Sequence, residues 1–201
     1  MKKSKLKTNF VLYYLLLLLT ALAVGREGTA TPRTFDNDTQ VYSAALKHGL
    51  PSQSNKVLIL EDSLLDHFSA TDEKLTEKIS LEIGITSECV EDWRLKNKGS
   101  TKIRFKISSQ EDISFLTSKN LDTLFSEKTA KENWEIFSQR YQDYDGFIAI
   151  SQIGYNKTKD EALLLLEHHC GAKCGTGKFV ALTKDNNNWE VKSNLTVWLA
   201  Y

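Results

Sequence analysis

Residues 146–191 read Gly146-Phe-Ile-Ala-Ile-Ser-Gln-Ile-Gly-Tyr-Asn156, Lys-Thr-Lys-Asp160, Glu161-Ala-Leu-Leu-Leu-Leu-Glu-His-His-Cys170, Gly-Ala-Lys-Cys174-Gly-Thr-Gly177, Lys-Phe-Val-Ala-Leu-Thr-Lys184, Asp-Asn-Asn-Asn188 and Trp-Glu-Val191. Short apolar runs alternate here with clusters of Asn, Asp and Gly, residues that favour turns through their side-chain hydrogen bonds or their missing Cβ. Turns this tight between strands this short leave no room for crossovers, so they predict antiparallel neighbours at 147–155, 162–169, 179–184 and 189 onward. The Cys170–Gly177 stretch is the expected second turn. Strict alternation in the last strand places Trp189, Val191, Leu195, Val197 and Leu199 on one face. The run 162–166 is apolar on both faces, which marks it as central. The predicted class is α+β: a curved antiparallel sheet with a C-terminal four-strand meander over about 146–201 and helices packed on one face.

Working outward, 122–141 reads as two helical pieces. Trp134, Phe137 and Tyr141 are spaced i, i+3, i+7, so they share one helix face and are expected to pack on the sheet. Helices are also predicted at 39–50 and 72–81 and from Thr86 through Leu95, with Cys89 buried. Val57, Leu58, Ile59 and Leu60 read as a buried strand, and 102–107 alternates as a strand with one wet face.

The N-terminus has four lysines and no acid up to Lys7, then an apolar run from Phe10 to Val24 broken only by Thr20, with Ala21-Leu-Ala23 as small residues for cleavage. Residues 1–23 therefore have the form of a secretory signal peptide. The competing reading is an uncleaved anchor through residues 10–24, the chain's single route to a membrane. Residues 24–38 read as a flexible polar spacer and 39–201 as one domain. An exported location, whether periplasmic, secreted or membrane-anchored, permits disulfides. Lys and Arg total 26, as do Asp and Glu, for a formal net charge of zero. That balance excludes the basic footprint of a nucleic-acid partner.

Three chemistries compete at the Cys170–Cys174 turn. A disulfide would close a loop of about five residues and contribute about 2 kcal/mol on the chain-entropy account. A metal site would draw on His168, His169, Cys170 and Cys174, although adjacent strand residues point to opposite faces. Thiol exchange lacks the helix N-terminus that usually lowers a thiol pKa. The disulfide is the expected state and no cofactor is expected. No nucleophile elbow accompanies the Ser63, Asp62, Asp66 and His67 group, so no catalytic residue is assigned.

The strand Ser151-Gln-Ile-Gly-Tyr-Asn156, the turn Cys170-Gly-Ala-Lys-Cys-Gly-Thr-Gly177, the closing Trp189-Glu-Val191 and the helix Trp134-x-x-Phe137 resemble a family of uncharacterised bacterial exported proteins. Its members carry an S-x-V-G-F-N strand, a C-G-x-x-C-G-x-G turn and a W-x-V strand. The likeness covers about sixty residues closely and implies the fold and the export, but no activity. Gln152 and Tyr155 stand where that family more often has an arginine and a phenylalanine. Two functional classes follow: a non-enzymatic module binding a protein or envelope component through the sheet edge or the cysteine turn, and a metal- or small-molecule-handling protein with its site between the Trp134 helix and the sheet.

Overall fold

The computed structural model describes residues 37–49, 56–63, 73–99, 101–103, 113–126 and 128–200. The expected signal segment at 1–23, most of the spacer and most of the 102–107 strand lie outside the described residues. The helices are α1 (Asn37–Gly49), α2 (Glu73–Ile83), α3 (Ser87–Lys96), α4 (Ser118–Phe125) and α5 (Ala130–Arg140). The strands are β1 (Val57–Leu60), β2 (Asp62–Ser63), β3 (Thr101–Lys102), β4 (Ile113–Leu116), β5 (Phe147–Ile150), β6 (Gly154–Tyr155), β7 (Glu161–Gly171), β8 (Cys174–Asp185) and β9 (Asn188–Ala200).

The main sheet runs β4-β1-β5-β7-β8-β9, with β6 also paired to β7, and β2 pairs with β3 in a separate two-stranded sheet. The class is α+β, and the C-terminal run β5-β7-β8-β9 is antiparallel throughout. Its N-terminal side is parallel, β1 pairing with both β4 and β5 in the same direction, so the sheet is mixed. Strand β4 has no counterpart in the sequence reading.

Local chemistry explains the element ends. Helix α5 opens with a capping box in which the Thr129 hydroxyl accepts from the Glu132 amide while the Glu132 carboxylate accepts from the Thr129 amide at 3.0 Å, satisfying two donors that the first turn leaves unpaired. Asn186 and Asn187 both take positive φ, 47° and 68°, as a two-residue hairpin turn requires. The cysteine hairpin is tighter than expected: its turn lies between Gly171 and Cys174, and Cys174–Gly177 already belongs to β8.

Strand β7 is covered on both sides. Ala162, Leu164 and Leu166 pack with Val180, Leu182 and Ile150 beneath α1, through Val41, Tyr42, Ala45 and Leu46. Leu163 and Leu165 pack with Phe179 and Ala181 beneath α2 and α3, through Ile79, Ile83, Cys89 and Trp93. On that second side, Phe137 of α5 and Leu124 of α4 pack with Leu58, Leu60, Phe147 and Ala149. Helices thus cover both faces, α1 alone on the first and the other four on the second. The predicted aromatic stripe does meet the sheet, with Phe137 1% exposed and Trp134 and Tyr141 half-buried around it.

Two bulges correct the single apolar face expected for β9. The register passes from Leu182–Val191 to Ala181–Ser193 and from Lys178–Thr196 to Gly177–Trp198, so Lys192 and Val197 are extra residues. An extra residue shifts the alternation between faces. Trp189 and Val191 accordingly join the α1 side. Leu195 and Val197 join the opposite side, and Trp198 follows them. A third correction concerns 147–155, which is two strands. It breaks at Ser151–Ile153, where the Ser151 hydroxyl takes the Leu165 amide at 2.8 Å in place of a strand partner.

Candidate functional site: an aromatic cleft beside the disulfide

The second sheet face is sealed beneath α3 and opens beyond it. Between α4, α5 and the far ends of β5, β7, β8 and β9 lies a cleft of about 440 Å³. It lies between the Trp134 helix and the sheet, the place to which the metal- or small-molecule-handling reading assigns its site. Its volume falls within the range of small-molecule sites.

Its walls are aromatic. Phe147 is near-parallel to two rings, Trp134 at 5.9 Å and 12° and His169 at 4.9 Å and 16°. Phe125 meets Trp134 edge-on at 5.2 Å, and Trp198 lies 5.4 Å from His169. Asp122 and Ser126, from the end of α4, complete the rim opposite Gly171 and Cys174.

Beneath the rings lies Glu167, only 3% exposed. Period-2 alternation in β7 puts it on the face of Leu163 and Leu165. One carboxylate oxygen accepts the Trp198 indole N–H at 3.0 Å, and the other lies 3.2 Å from His169 Nε2. In the neutral ring an Nε2–H donated to the carboxylate leaves Nδ1 as the acceptor. Trp198 reaches this position because Gly177 opposes it: a Cβ there would lie 2.5 Å from the indole Cδ1. The glycines of the cysteine turn thus make room for a ring, more than they serve a cross-linked loop.

Cys170 and Cys174 are joined in a disulfide with Cα atoms 5.0 Å apart, and Cys174 forms part of the cleft rim. The four residues of the metal reading are not brought together. Both sulfurs are used by the bridge, His168 donates from Nε2 to the Asp145 carbonyl at 2.9 Å, and His169 faces Glu167. Among the described residues no group of three or more His, Cys, Asp or Glu is arranged to hold a metal ion. Burial is the main cause holding the His168 pKa below the ordinary histidine value.

The other candidate residues are structural. Trp189 donates its indole N–H to Asn37 Oδ1 at 3.0 Å, fastening the start of α1 to the sheet. Cys89 is buried and gives its S–H to the Gly154 carbonyl at 3.2 Å. Its pKa is pushed up to about 12, first by burial and then by the nearby Glu161 and Asp92 carboxylates, which disfavours the thiolate form. Sequence reasoning missed Glu167 and Trp198. The available signal was a single acid ending the run Leu163–Leu166 at an inward-facing position, an arrangement that requires a buried partner.

No family model, no curated protein and no solved structure matches the chain. Its functional reading rests on the geometry of its own site.

Proposed function

We propose that this protein is an exported, non-enzymatic binding module whose recognition site is the aromatic cleft between α4, α5 and the sheet. The observation that carries this reading is the buried Glu167 held by Trp198 and His169 directly beneath an open cleft. Burying a carboxylate costs free energy unless its oxygens are bonded. A fold with no use for the cleft would be more stable with a hydrocarbon there.

Export is supported by the form of residues 1–23 and by the disulfide, which persists in oxidising compartments. No described helix is long and apolar enough to cross a membrane. Binding in place of catalysis is supported by the chemistry around the cleft, where rings outnumber ionisable groups and the Cys89 thiol, on the buried face of α3, is not in the lining.

The test uses the Trp134 and Trp198 indole N–H resonances of the folded domain as reporters, titrated with L-arginine amide, N-acetylglucosamine and benzoate to millimolar concentration. A saturable shift at these indoles with one of the three supports the reading. Silence with all three overturns it.

A further inference from the structure

The described residues that line the cleft include no lysine or arginine, while Asp122 stands at its rim and Glu167 lies below. Its side chains offer mainly acceptors: the Asp122 carboxylate and the Ser126 hydroxyl, which also donates. Ring faces carry negative potential, so the aromatic walls have the same sign as the carboxylates. An anion would meet no lysine or arginine and few donors there. A neutral sugar would find rings but few partners for its hydroxyls.

Resting on the binding-module reading, we infer that the cleft takes a planar, donor-rich organic cation of the guanidinium type. Such a group stacks on aromatic faces through its plane and donates to carboxylates from its edge. Glu167 acts as a positioning residue. It fixes Trp198 and His169 through its two oxygens and biases the cleft towards positive charge without standing in its lining. The stack of Trp134, Phe147 and His169 is already assembled, so these rings need no ordering when a guanidinium arrives. The guanidinium can belong to a free solute or to an arginine side chain on a partner peptide, and the two sources present the same head group.

The test compares L-arginine amide with L-citrulline amide, whose urea keeps the shape and most of the donors but removes the charge, read by indole N–H shifts on the intact domain. Arginine amide is expected to bind roughly tenfold more tightly. Gly-Arg-Gly amide is the second arm: tighter binding than the free amide assigns the site to a peptide partner, and equal or weaker binding assigns it to a solute. Asp122→Asn, an exposed position at no risk to folding, is expected to weaken arginine amide about threefold to fivefold, and Glu167→Gln to weaken it further. Citrulline amide binding within twofold of arginine amide, or an unchanged affinity in Asp122→Asn, overturns the cation assignment. If N-acetylglucosamine or benzoate binds while arginine amide does not, the cleft remains a site and the ligand class falls. If nothing binds, both fall.

Discussion

Trp93 and Trp198 do the same job at two ends of one sheet face, with different results. Each lies close against glycine in a strand, Gly154 for Trp93 and Gly177 for Trp198, and each gives its indole N–H to a buried acceptor. At Trp93 the acceptor is the Ser151 hydroxyl, at 2.9 Å. That oxygen also takes the Leu165 amide at 2.8 Å and donates to the Gln152 carbonyl at 2.9 Å, so its hydrogen-bonding capacity is used inside the protein. Asn97 closes the same junction, exchanging hydrogen bonds with Gln152 in both directions. At Trp198 the acceptor is a carboxylate with room for about four bonds, of which the indole and His169 occupy two. One device therefore makes a closed joint where the acceptor is a hydroxyl whose capacity is filled, and a cleft floor where it is a carboxylate shared by an indole and an imidazole.

The largest expected effect tests the sealed end. A Cβ on Gly154 would press into the Cys89 carbonyl and the Trp93 amide nitrogen, which are backbone atoms and cannot swing away. Gly154→Ala should lose more than about 3 kcal/mol or fail to fold, measured by urea denaturation. A loss below about 1 kcal/mol would show that the joint is looser than described. Next comes Ser151→Ala, which strands the Trp93 indole and the Leu165 amide without an acceptor. We expect about 2–3 kcal/mol of destabilisation, and a neutral result would mean that water enters the joint.

The corresponding change at the open end should be milder. The atoms facing Gly177 belong to the Trp198 side chain, which can move into the cleft. Gly177→Ala should cost about 1–2 kcal/mol, leave the domain folded and shift the Trp198 indole resonance as its bond to Glu167 breaks. A cost equal to that of Gly154→Ala would erase the contrast between the two ends.

The smallest effect concerns His168, whose depressed pKa comes first from burial, with the like charges of His169 and Lys178 adding to it and Asp145 opposing it. The folded state resists protonation more than the unfolded chain does. Its contribution to stability is therefore present above the unfolded value near 6.5 and lost as the pH falls towards the lower folded value. Between about pH 7 and pH 5, His168→Gln should flatten the decline in melting temperature. An unchanged slope would assign the decline to other groups.

The antiparallel run was legible in the sequence because its turns are local: Asn186-Asn187 and the Asn156–Asp160 loop carry their geometry in adjacent residues. Helices α3 and α5 were legible through helical periodicity, in the stripe that holds Cys89 and Trp93 and in the spacing of Trp134, Phe137 and Tyr141, whereas the Thr129–Glu132 box that opens α5 was not read. The parallel pairing of β1 with β4 was not. Val57 meets Ile113 across a separation that no turn signal spans, and such pairings are decided by tertiary packing. The cleft was half legible. Its aromatic wall followed from the spacing of Trp134 and Phe137, whereas the Glu167–Trp198 contact depends on a bulge that alternation does not reveal.

The bulges in β9 also govern how the molecule behaves in company. This strand is the longest in the sheet, 13 residues, and lies at its edge. A flat exposed edge of that length would be a template for strand-by-strand polymerisation. Lys192 and Val197 divide it into 188–191, 193–196 and 198–200, each shorter than the five or six residues of a typical strand. The same insertion that accompanies the turn of Trp198 towards the cleft thus interrupts the template, so that the longest strand lies at the sheet's edge without offering a long unbroken ladder to a second chain.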